Sequence, residues 1–248
     1  MSGSRRESVV KDLVFIGGLL ILAVALIVYL VMGSEEVSDA ASQPMSPQVS
    51  APESNAPGGQ VDAVTALSVE RRTTGDPLAQ GDPAAPVVMV MFADYRCPFC
   101  AKFSRDTEPD LVERFVDQGV LRLEWRDMPI FGEQSMRAAR AGRAAAEQGK
   151  FWEFNHEVFA MSPDRGHADL NEDALVGFAE KAGVPDIDKF AASMRGNEFD
   201  AAIDADLAQG SSIGVPSTPA FVINGEPVLG AQPTEEFVRV IDEAKDRT

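Results

Sequence analysis

The chain has 248 residues, 45% of them hydrophobic and 25% charged, which excludes a wholly disordered or fibrous protein. Its 22 basic and 39 acidic residues leave a net charge of −17, which argues against nucleic acid as a partner because phosphates are bound by neutralising them. Two cysteines exclude a disulfide-rich scaffold, and two histidines exclude most multi-histidine metal sites.

Residues 13–32 read LVFIGGLLILAVALIVYLVM without a charge, long enough at about 1.5 Å per residue to cross a bilayer core. Arg5, Arg6 and Lys11 precede the run, and Glu35, Glu36 and Asp39 follow it. The positive-inside rule then places residues 1–12 in the cytoplasm and the rest outside. A cleaved signal peptide competes with an uncleaved anchor, because Ser38-Asp39-Ala40 resembles a cleavage site. The run exceeds the usual apolar length of a signal peptide, which favours the anchor. Residues 33–60 are rich in Ser, Pro, Ala and Gln, with no aromatic residue and no Lys or Arg. Such a segment cannot bury enough apolar surface to offset its ordering entropy, so a disordered linker is expected.

The remainder, residues 61–248, has the size of one domain. Residues 87–92 form a continuous apolar run, the pattern of a strand covered on both faces. A helix is expected from Cys97 to about Gln118, with Pro98 at its first position and Pro109 kinking or interrupting it. Residues 120–126 alternate Leu121, Leu123 and Trp125 with Arg122, Glu124 and Arg126, which predicts a second strand in a parallel crossover unit. A helical insertion of about residues 133–212 follows, with helices over 134–149, 151–161, 171–183, 187–195 and 198–209. Residues 220–223 return to a strand, turn at Asn224-Gly225 and pair back through Val228 and Leu229. A last helix is expected over 233–245, giving an α/β domain with a central mixed sheet.

Both cysteines lie in Cys97-Pro98-Phe99-Cys100, where a buried strand gives way to a helix. The free N–H groups and partial positive charge of a helix start favour a thiolate at Cys97. Cys100, one turn along, is placed to attack a mixed disulfide formed at Cys97. Zinc binding and a purely structural disulfide are the alternatives. Zinc lacks a second cysteine pair, and His156 and His167 are eleven apart. A structural bridge over so short a loop removes little unfolded-state entropy. No metal or cofactor is therefore expected beyond the redox-active pair itself.

Residues 81–87 (GDPAAPV) and 92–100 (FADYRCPFC), with Trp125-Arg126-Asp127-Met128-Pro129, Phe151-Trp152-Glu153-Phe154-Asn155-His156 and residues 214–221 (GVPSTPAF), resemble the DsbA-like branch of the thioredoxin superfamily. The resemblance implies a thioredoxin fold with an inserted helical domain, and thiol–disulfide exchange with exported proteins. It implies that Cys97 is the exposed nucleophile and Cys100 the buried resolving thiol. Thr218-Pro219 matches the family's cis-proline loop, which offers backbone groups to a substrate chain; a strand-start proline would also satisfy the sequence. Pro98 and Phe99 match the dipeptide that tunes the thiolate, and Phe99 brings no imidazolium to Cys97. The family's buried carboxylate falls six residues before the first cysteine, where this chain has Met91. Glu124 on the neighbouring strand is the candidate replacement as proton acceptor for Cys100, against the alternative of a surface residue between two arginines. Expected partners are exported client proteins with cysteine pairs, a membrane reoxidant that is DsbB-like or resembles vitamin K epoxide reductase, and the membrane itself. A reductase or isomerase, or a non-enzymatic anchored binding protein, are the competing functions.

Overall fold

The computed structural model describes residues 68–248. The expected cytoplasmic end (1–12), anchor (13–32), linker (33–60) and first stretch of the domain (61–67) lie outside the described residues. Among the described residues, no helix is long and apolar enough to cross a membrane.

Five strands form one sheet in the order β1-β3-β2-β4-β5: β1 Ala79–Gln80, β2 Val87–Ala93, β3 Leu121–Asp127, β4 Ala220–Ile223 and β5 Glu226–Leu229. β2 and β3 run parallel, joined by the predicted helical crossover, and the other pairs are antiparallel, so the sheet is mixed as expected. The two-residue β1 has no apolar periodicity and was not foreseen. β3 begins one residue later than predicted, because the Val120 N–H donates to Phe115 O at 2.8 Å in the preceding helical turn. At the hairpin, Asn224 (φ 44°) and Gly225 (φ 88°) both take left-handed conformations, the reason this dipeptide predicts the turn. The Asn224 side chain also accepts from Val88 N at 2.8 Å and donates to Pro86 O at 3.0 Å, pinning the hairpin to β2.

The helix after the cysteines is broken as Pro109 requires. α1 spans Pro98–Asp106, and α2, Glu108–Leu111, restarts with Pro109 in its first turn, where a missing N–H costs nothing. A π-helical turn, Val112–Val116, completes the run. The insertion contains α3 Glu133–Ala146, α4 Phe151–Ala160, α5 Glu172–Lys181, α6 Ile187–Arg195 and α7 Asp200–Ser212, and α8 Thr234–Asp246 ends the fold. Asn171, a residue type suited to the start of a helix, caps α5 by accepting from Ala174 N at 3.0 Å.

The two faces of the sheet are covered differently. On one, Met89, Met91, Leu123, Trp125, Phe221 and Ile223 join a single apolar cluster that extends through α1 to α6 and α8. Aromatic contacts tie these layers: Tyr95 lies 5.1 Å from Trp125 and 5.5 Å from Phe159, and Phe103 lies 4.6 Å from Phe221. Gly142 of α3 abuts the Tyr95 hydroxyl, so any side chain there would collide with it. On the other face, Val88, Val90, Phe92 and Val222 meet Val69, Met128 and Leu207 of α7.

Candidate active site

Cys97 immediately precedes α1, in the place where a serine or aspartate would accept from the free N–H groups of a helix start. No side chain caps this helix and its first turn holds no acidic residue, so the positive end is left to the sulfur. Both cysteines are free thiols. The Cys97 pKa is lowered to about 6, first by a hydrogen bond from the Cys100 thiol. Burial opposes that shift, and the Thr218 side chain and the N–H groups of Cys100 and Phe99 reinforce it. Cys100 is pushed well above the ordinary thiol range, first by burial and then by its neighbour Cys97. The pair is therefore strongly asymmetric.

Opposite the sulfurs lies the loop before β4. The Thr218–Pro219 bond is cis, and the Cys97 thiol donates to Thr218 O at 3.2 Å. Pro219 is also the residue before the strand, so the cis bond and a position at the strand's start coexist. The buried Thr218 hydroxyl has no hydrogen-bond partner among the described residues, and its proximity favours the charged form of both thiols.

One expectation needs correction. Cys97 is not exposed: only 2% of its surface is accessible, because Thr218 and the surrounding loops close over it. The approach is through a pocket of about 500 Å³ lined by Cys97, Pro98, Phe99, Phe131, His167 and Thr218, with Ser217, Gly230 and Ala231 completing the wall. Phe99 stands at its rim, 61% exposed, and Ile130 and Leu229 are further exposed apolar residues on the domain. Phe131, His167, Ser217, Gly230 and Ala231 were not picked from the sequence. Only Ser217, beside Thr218-Pro219, carried a signal there; the others come from separate loops.

The second correction concerns Glu124. It pairs in register with Val90, whose side chain belongs to the sheet face opposite the one that holds Cys100. Nor is it a surface residue. Its carboxylate accepts from Arg122 Nε at 2.9 Å, Arg126 Nη2 at 2.7 Å and the backbone N–H groups of Arg71 and Arg72 at 2.9 and 2.8 Å. Burial works to raise its pKa, and these donors overcome it, leaving the value at about 2. A carboxylate so held is a poor base and does not meet the thiols. Met91 sits in the aromatic core beside Trp125 and Phe221. Among the described residues no cluster of His, Cys, Asp and Glu could hold a metal ion.

The family model described as thioredoxin matches residues 73–243. A Na(+)/H(+) antiporter NhaA 3 of Salinispora tropica is 32% identical over 148 residues, covering 59% of this chain. The chain spans only 21 to 26% of the length of the antiporters that it matches first. A probable disulfide bond formation protein D of Bacillus cereus is 28% identical, with 58% of this chain and 68% of that protein covered. In structure, BdbD of Bacillus subtilis aligns with a TM-score of 0.65 over 69% of this chain and 94% of its own, at 22% identity. That likeness establishes the fold.

Proposed function

Because this chain belongs to the thioredoxin family, we propose that it is a membrane-tethered thiol–disulfide oxidoreductase that oxidises dithiols to disulfides in exported proteins. The observation that carries this reading is the split between the two thiols, with Cys97 titrating at about 6 and Cys100 held protonated by burial. Starting from the Cys97–Cys100 disulfide, a client thiolate attacks Cys97 Sγ. The Cys97–Cys100 bond breaks, and Cys100 leaves with the electron pair and takes up a proton. The client's second thiolate then attacks the client sulfur of the mixed disulfide. A client disulfide forms, and Cys97 departs as a thiolate, a good leaving group because its pKa is low. The client loses two electrons and the pair gains them.

Stabilising the Cys97 thiolate stabilises the reduced pair, so the same feature drives the reaction towards client oxidation. The apolar pocket supports recognition of an unfolded client segment, whose backbone would meet the Thr218 carbonyl region. A membrane reoxidant, DsbB-like or resembling vitamin K epoxide reductase, would then accept the electrons. The uncharged run at 13–32 supports the tether and an extracytoplasmic domain, and so does the match of 148 residues of this chain to part of a protein named as an antiporter. The test is to equilibrate the pair with glutathione and to follow oxidation of a reduced two-cysteine peptide. A potential near about −120 mV with stoichiometric peptide oxidation supports the oxidase; one near about −270 mV makes it a reductase. No exchange at all overturns the enzyme reading.

A further inference from the structure

Arg96, the residue before Cys97, stands between the reactive turn and the far wall of the pocket. Its Nη1 donates to Phe131 O at 2.6 Å and its Nε to Ala168 O at 2.9 Å. Those carbonyls belong to two loops, one between β3 and α3, the other between α4 and α5. The same two loops supply Phe131 and His167, whose rings lie 4.2 Å apart and line the pocket. His167 Nδ1 returns a contact to Arg96 O at 3.2 Å. Beneath them, Asp94 is 98% buried and gathers the same parts: Oδ1 accepts from Arg96 N at 2.8 Å, and Oδ2 from Ile130 N at 2.7 Å and Phe131 N at 3.2 Å. Asp94 O accepts from Cys97 N at 3.0 Å, so the brace is continuous with the nucleophile's own backbone.

We propose that Arg96 is a specificity-determining positioning residue, which with Asp94 fixes the Phe131–His167 wall relative to Cys97 and so selects clients carrying a bulky apolar side chain beside the reacting cysteine. This rests on the thiol-exchange function proposed above. Gln134, at the start of α3, also ties the second loop by donating to Asp169 Oδ1 and accepting from Leu170 N, both at 2.9 Å. At the pocket itself, however, the two loops are joined by this guanidinium and the ring stack. A planar fork can hold two carbonyls in fixed directions, whereas an ammonium on a flexible stem cannot fix both. Loss of the fork releases the Phe131 carbonyl from Ala168 while Gln134 still holds the outer end of the second loop. The ring wall at the pocket then loosens, and an apolar side chain loses the surface it would pack against. A client with glycine at that position loses little, because it never filled the pocket.

The experiment compares two reduced two-cysteine peptides that differ only in Phe or Gly beside the attacking cysteine. The wild-type protein should show the lower KM for the Phe peptide. Arg96→Met should raise KM for the Phe peptide about tenfold and for the Gly peptide no more than about twofold, with kcat changed far less than KM. Phe131→Ala should remove the preference, and adding Arg96→Met to it should change nothing further, since both act on one wall. Arg96→Lys, which keeps the charge and guards against misfolding of the Met variant, should show the same selective loss. Equal losses on both peptides, additivity with Phe131→Ala, or a shifted Cys97 titration overturns the proposal. If the wild-type protein oxidises both peptides with one KM, the wall does not select and the oxidoreductase reading stands. If it oxidises neither, that reading fails first.

Discussion

The two sides of β3 carry opposite kinds of interior. Leu121, Leu123 and Trp125 point into an apolar, aromatic layer that also holds both reactive thiols. Arg122, Glu124 and Arg126 point the other way and are just as deeply buried. There Glu124 is clamped between two arginines, and Asp206 of α7 binds Arg71 and accepts from Arg143 at 2.7 Å. One side thus lets an apolar surrounding push the proton affinity of Cys100 up, while on the other dense counter-charge holds that of Glu124 down. Burial alone does not set a pKa: Cys100 and Glu124 are both buried and move in opposite directions. Two guanidinium groups and two backbone N–H groups outweigh burial at Glu124, whereas the weaker Asp94 and Thr218 donors at Cys100 do not outweigh burial and the neighbouring Cys97.

The largest expected effect breaks the thiol side. Cys97→Ser should reduce peptide oxidation by roughly a thousandfold or more, since no other nucleophile replaces it. Cys100→Ser cannot form the Cys97–Cys100 disulfide, but its Cys97 thiolate should still attack a disulfide-bonded client, breaking that bond and releasing one client thiolate. It should accumulate the mixed disulfide that no resolving thiol releases, visible on non-reducing gels. Neither change should move the ionic side, which urea unfolding of the reduced proteins checks.

The next effect breaks the ionic side. Glu124→Ala leaves two buried arginines unpaired and should cost about 3–5 kcal/mol of unfolding free energy in urea. The titration of Cys97 should stay at about 6 in that variant, because Glu124 faces away from it. A parallel shift of the Cys97 titration would show that the two sides are coupled through the sheet.

A somewhat smaller effect follows from pH. The folded pKa of Glu124, about 2, lies below its ordinary value of 4.5, so its contribution is fully present above about 4.5. It is lost as pH falls through about 2, and amounts to about 3 kcal/mol on the scale of 1.36 per pKa unit. Glu124→Gln should therefore flatten the acid limb of the stability curve between about pH 4.5 and 2. An unchanged acid limb would assign acid sensitivity to other carboxylates.

The smallest effect sharpens the thiol side. Thr218→Val keeps the shape and removes the hydroxyl that favours the Cys97 thiolate, so the alkylation midpoint should rise from about 6 by about one unit. The urea midpoint should barely change, because that hydroxyl has no hydrogen-bond partner to lose among the described residues.

What the sequence alone determined was local. The apolar run of β2, the Asn-Gly hairpin, the Asn171 cap and the Pro109 interruption each follow from backbone chemistry within a few residues. The position of both cysteines at a strand-to-helix junction is of the same kind, and so the helix-start stabilisation of Cys97 was legible. Tertiary structure decided what covers each surface. Alternation along β3 says that Arg122, Glu124 and Arg126 share a face, but not that residues 69–72 and α7 would seal it with counter-charges. The same holds for the pocket, whose wall joins Phe131, His167, Thr218 and Ala231 from four separated stretches. Periodicity records direction relative to one's own backbone, whereas burial and binding depend on which distant segments arrive there.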